Sequence, residues 1–194
     1  MSFLPSLPEA DMKQTLKCEP DIGIPFSQLN QAVMRGDAPF TPGEREFIAA
    51  YISALNACHY CQSEHTAIAE AFGMPTGLLK QLLYDVEAAE VSEALRAALV
   101  YARKLTLFPT RLSQVDVDAF FAAGHDERAL YFVVFVTALF TMSNRIVQGL
   151  GLATPSPEGM QEAVERLYSQ GYAGTLQYIL GSAGQVPSTR LYPG

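Results

Sequence analysis

The chain has 194 residues, 49% of them apolar and 17% charged, which suits one sizeable core and excludes a disordered chain. Its formal charge of −7, with no Lys/Arg block, argues against a nucleic-acid backbone as partner. A single domain over 1–194 is expected, with an N-terminal arm over 1–39, a core over about 40–170 and a tail over 171–194.

The opening MSFLPSLPEADMK has neither a basic n-region nor an apolar h-region, so a reducing, cytoplasmic compartment is expected. There a cysteine pair more often binds metal or does catalysis than staples a fold. Along the chain the apolar spacing is helical almost throughout, and no alternating run with a hairpin turn appears, which predicts an all-α fold. Ser27 is expected to cap SQLNQAVMRG, ending at Gly36, and Pro39 to Pro42 separate this arm from the body. Pro42 then opens EREFIAAYISAL with Phe47 and Tyr51 on its core face, and Asn56 is expected to cap a fresh helix, ACHYCQSEHTAIAEAF, closed by Gly73. TGLLKQLLYD, SEALRAALVYARKLTLF and a short helix opened by SQVD follow.

Asp126 caps the most apolar helix, whose run over residues 129–142 is shorter than the roughly 18–20 residues a bilayer needs, so a core helix and no membrane association are expected. Asn144-Arg145 near its end suit buried, paired polar groups, and His125 a solvent-exposed loop. PEGMQEAVERLYSQG gives one more helix. The stretch from Tyr172 onward, rich in Gly, Pro, Tyr and Leu, reads as too irregular for a helix and is expected to pack on the protein's own surface or on a neighbouring subunit. No solenoid repeat or low-complexity tract occurs.

The segment NACHYCQSEH, residues 56–65, concentrates two of the three cysteines and two of the three histidines. At about 100° per residue, Cys58, Cys61 and His65 fall within one narrow arc of a helix, while Tyr60 points the other way. Cys61 can then touch both Cys58 and His65 through i,i+3 and i,i+4 contacts. A first-turn N–H array and a nearby imidazole both favour thiolate, and an i,i+3 pair is within disulfide reach. Glu46, twelve residues before Cys58, could accept the second N–H of His65 and fix its tautomer. Two other readings stay open: a metal-binding structural module with Glu46 or His59 as fourth ligand, and an inert buried pair. Haem attachment fails because Gln62, not His, follows Cys61, and a thioredoxin-type site lacks its βαβ setting. Cys18, with no base nearby, reads as incidental.

Glu46, eleven residues, Cys58-x-x-Cys61, three residues, His65 resembles the motif of the alkylhydroperoxidase D-like proteins in the carboxymuconolactone decarboxylase family. ALVYARKLT, LSQVDVDAFFAAGHDE and an apolar helix ending in Asn-Arg extend the likeness to its peroxidase-related branch, over roughly residues 40–150. The resemblance implies a helical bundle of that type, a homo-oligomer, no cofactor, and thiol peroxidase or disulfide-reductase activity with a hydroperoxide as substrate and an external dithiol as reductant. It implies that Cys61 becomes the sulfenic acid, that Cys58 completes the disulfide, and that Glu46 and His65 relay protons. Where the family's namesake has a histidine, this chain has Tyr60, a phenol with a reference pKa of about 10 that cannot serve as a base near neutrality. That departure implies a shorter relay and slower hydroperoxide turnover. The family also contains lactone decarboxylases, so a non-redox enzyme is the alternative it carries with it.

Overall fold

The structure is a computed structural model and describes residues 2–86 and 89–183. Those residues form ten α-helices, one short 3-10 turn and no strand, packed as an all-helical bundle. In chain order they are α1 (Met12–Cys18), α2 (Pro20–Arg35), α3 (Pro42–Leu55), α4 (His59–Ala71), α5 (Leu78–Tyr84), α6 (Glu93–Leu107), α7 (Gln114–Ala122), α8 (Glu127–Gly149), α9 (Pro157–Ser169) and α10 (Ala173–Ala183).

Helix α3 is the axis. Thr41 and Glu44 close a capping box at its start, with Pro42 in the first turn where no N–H is needed. Nine consecutive residues, Arg45 to Ser53, would normally show one wet face; instead all are buried, Phe47, Ile48, Ala49, Ala50, Tyr51 and Ile52 among them. A helix apolar on every side belongs inside. It packs against α4, α6 and α8, and Gly43 lets α4 approach closely, since an added Cβ would stand 3.0 Å from that of Phe72. Burial of Phe47 and Tyr51 stabilises the bundle by about 1.5–3 kcal/mol each.

Four expectations change. The helix through Ser27 begins at Pro20, seven residues earlier, and Ser27 is buried inside it rather than capping it. Pro25 stands within that helix, past its first turn, where it removes one ladder hydrogen bond, to the Asp21 carbonyl. The segment after Tyr172 forms helix α10, packed on α1 and α2, because Thr175 and Ile179 bury a face that outweighs the cost of Gly174 and Gly181. Residues 184–194 of the tail lie outside the described residues. His125 is partly buried, stacked on Phe120 at 4.3 Å with Nε2 2.8 Å from the Ala94 carbonyl.

Helix α8 runs 23 residues, long and apolar enough by length and composition to cross a membrane, yet Val133, Val136, Leu139 and Phe140 pack in the core. Arg145 at its end is exposed and donates to Gln148, whereas Asn144 is fully buried.

Candidate active site

The turn between α3 and α4 places the two cysteines. Asn56 does not cap α4; it ends α3, and Cys58 holds the N-cap position of α4. The Cys58 N–H donates to the Ser53 carbonyl at 2.9 Å and the Ala57 N–H to that of Ala54 at 3.0 Å, the paired bonds of a Schellman motif. Such a motif needs a left-handed residue, and Ala57 supplies it with φ of 54°. A non-glycine residue there stores strain beside the dithiol. Cys58 thus terminates one helix and starts the next.

Cys58 and Cys61 are both buried and free, close enough to share a hydrogen bond. The Cys58 sulfur closes no cap bond of ordinary geometry, but donors surround it. The Cys61 thiol lowers its pKa most, burial opposes, and the Cys61 N–H, the Asn144 amide and His65 add to the lowering, leaving Cys58 at about 6. Cys61 is pushed up, first by holding its proton toward Cys58 and then by burial. The pair thus favours charge on Cys58 and the proton on Cys61. Asn144 spans the site from α8: its amide donates to Ser53 Oγ at 3.0 Å, and its oxygen accepts from Asn56 at 3.0 Å.

Glu46, wholly buried on α3, lies with Oε2 2.6 Å from His65 Nδ1. Its other oxygen receives Arg35 Nη1 at 2.7 Å and the Tyr172 hydroxyl at 3.2 Å. Burial pushes the Glu46 carboxyl up, but His65 and Arg35 overcome it and hold the group below its usual range. Burial likewise pushes His65 down, yet the Glu46 carboxylate prevails and raises it. Arg35 and Tyr172 escape sequence reasoning, since a buried arginine looks like any exposed one until its partner's position is known.

Tyr60 turns toward α1, its hydroxyl accepting from the Met12 N–H at 3.3 Å. Burial and then Glu64 push its phenol up, so it stays protonated. His59 is exposed at the rim and Cys18 is half-buried on α1. Among the described residues no three or more His, Cys, Asp or Glu side chains converge to hold a metal ion.

A cavity of about 130 Å³ opens on this site, with Cys61 and His65 in its wall and Leu16, Phe26, Phe140 and Leu167 giving it an apolar lining. Cys58 stands behind Cys61, outside that wall.

Residues 20–104, which carry the dithiol and its acid–base partners, match the carboxymuconolactone decarboxylase family. That span is similar to the family, and the fold of the chain is alkylhydroperoxidase D-like. Among solved structures it is similar to an alkylhydroperoxidase AhpD core, an uncharacterized peroxidase-related protein from Ralstonia eutropha JMP134, at 28% identity and a TM-score of 0.69 over 77% of this chain and 78% of that one. A peroxidase-related protein from Silicibacter sp. TM1040 shares the fold at 24% identity and a TM-score of 0.67, covering 82% and 94% of the two chains. So does the debrominase Bmp8 in complex with 2,3,4-tribromopyrrole, at 19% identity and a TM-score of 0.64 over 82% and 91%. No curated protein matches the chain. The cavity draws on more than the family segment, because α1, α8, α9 and α10 supply most of its walls.

Proposed function

We propose that the protein is a thiol-dependent peroxidase that reduces compact organic hydroperoxides through Cys58 and Cys61 and is returned to the dithiol by an external dithiol in a reducing, cytoplasmic compartment. The observation that carries this reading is the placement of Cys61 in the cavity wall, with the buried, free Cys58 behind it and the Glu46–His65 pair beside it. A cavity of about 150 Å³ holds a molecule the size of benzene, so the space here, part apolar and part polar, has room for a small organic group.

In this reading Cys61 passes its proton to the Cys58 thiolate and attacks the terminal peroxide oxygen. The O–O bond breaks, two electrons move from sulfur to peroxide, Cys61 becomes a sulfenic acid and the alkoxide leaves as an alcohol once protonated. Cys58 then attacks the Cys61 sulfur. The departing hydroxide takes the His65 proton and leaves as water, and the Cys58 proton replaces the one His65 gave up. Tyr60 stays a phenol and serves to seat α1 over the cavity.

Two variants test this. Cys61→Ser should abolish hydroperoxide consumption with the fold intact, and Cys58→Ser, which lacks the thiolate that takes the Cys61 proton, should form sulfenic acid at Cys61 more slowly but hold it long enough for a 1,3-dione to trap. Hydroperoxide consumption that survives Cys61→Ser would take the dithiol out of the reaction and contradict this reading. A homo-oligomer belongs to the same proposal. Tyr131, Phe135 and Met142 form an exposed apolar stripe on α8, which light scattering of the purified protein would show to be covered.

A further inference from the structure

The cavity holds a second buried carboxyl that the reaction above leaves unused. Glu64 is 8% exposed, lines the cavity beside Cys61 and His65, and sits one turn after Cys61 on the same face of α4. Glu46 has three partners; Glu64 makes no hydrogen bond or ion pair among the described residues. The ionisable groups around it are Tyr60, Cys61 and His65 on its own helix, Glu46 on α3, Asp11 and Lys13 at the start of α1, Glu162 and Arg166 on α9, and Tyr172 just before α10. Burial outweighs the attraction of His65 and Arg166 and holds its pKa above the usual carboxylate value.

A buried carboxylic acid with no internal acceptor, facing the cavity in which a basic oxygen is released, is placed to give that oxygen a proton. We propose that Glu64 is the general acid of the site: as Cys61 takes the terminal oxygen, the leaving alkoxide takes the Glu64 proton and departs as alcohol.

This proposal rests on the peroxidase reading and adds the proton source that reading requires. The balance closes over one cycle. The first step leaves a Glu64 carboxylate, a Cys61 sulfenic acid and a Cys58 thiol. The second releases water with the His65 proton, and the Cys58 proton restores His65. The two hydrogens of the reducing dithiol then regenerate the Cys61 thiol and the Glu64 acid, leaving Cys58 as thiolate.

General acid catalysis is needed only when the leaving oxygen is strongly basic. tert-Butyl hydroperoxide releases an alkoxide, whereas peracetic acid releases a carboxylate, which leaves without a proton. The experiment is single-turnover thiol oxidation of the full chain and of Glu64→Gln with each oxidant. Glu64→Gln should oxidise about 100-fold more slowly with tert-butyl hydroperoxide and less than about threefold more slowly with peracetic acid. Equal losses with both oxidants, or no loss with either, would overturn the proposal while leaving the peroxidase reading in place. A wild-type chain that loses no thiols to either oxidant would bring down both. Where Glu64→Gln fails to fold, Glu64→Asp gives the same decision: a smaller loss confined to the alkyl hydroperoxide supports Glu64 as the acid, and a loss shared by both oxidants refutes it.

Discussion

His65 and Glu46 meet at 2.6 Å across the interface of α3 and α4, inside a carboxylate cluster that also holds Arg35 and Tyr172. A buried carboxylate so placed is stable only because three donors surround it. Glu46→Gln leaves two buried cationic groups without their counter-charge and should destabilise the fold by about 3–5 kcal/mol in urea unfolding.

The same pair fixes how stability changes with pH. Glu46 is held below its unfolded value, so its contribution is present above about pH 4.5 and is lost as pH falls through the folded value. His65 is held above its unfolded value, so its contribution is full below about pH 6.5 and fades as pH rises through the folded value. Midpoint temperatures measured across this range should therefore fall on both the acid and the alkaline side, and Glu46→Gln should flatten both limbs. An acid limb that Glu46→Gln leaves unchanged would assign it to other carboxylates.

Thiolate absorbance should titrate Cys58 with a midpoint of about 6. Because the Cys61 thiol is the largest cause of that lowering, Cys61→Ala should move the midpoint upward, toward the ordinary cysteine value of about 8.5. A midpoint that stays put would mean that backbone donors, not the neighbouring thiol, hold the charge.

Ala57 occupies left-handed backbone, φ 54°, where glycine is the unstrained choice. Ala57→Gly should raise stability by about 0.5–1 kcal/mol, the relieved strain exceeding the extra freedom gained by the unfolded chain. Calorimetric melting of the two proteins measures it directly.

Much of the bundle was legible because local signals agreed with burial. Pro42 opens α3 and Asp126 caps α8 as expected, and the CxxC spacing with a histidine one turn on marks the dithiol segment. The turn at residues 56–58 was not legible. Asn56 is a good N-cap by residue type, but the Schellman bonds made by Ala57 and Cys58 fix it as the end of α3, and no glycine announces the left-handed position. Helix α10 was hidden for the opposite reason: its glycines weaken local propensity, and only packing against α1 and α2 supplies the compensating burial. Arg35, Tyr172 and Glu64 lie 11, 126 and 18 residues from Glu46 in sequence, at no spacing that a motif could register.

The dithiol itself is decided by counting thiols before and after one equivalent of tert-butyl hydroperoxide, with peptide mapping of the oxidised residues. Two of the three thiols should disappear per chain, joined as a Cys58–Cys61 disulfide, with Cys18 still reduced. Thiol counts that do not change, or oxidation that falls on Cys18 or between chains, would contradict a peroxidase centred on Cys61.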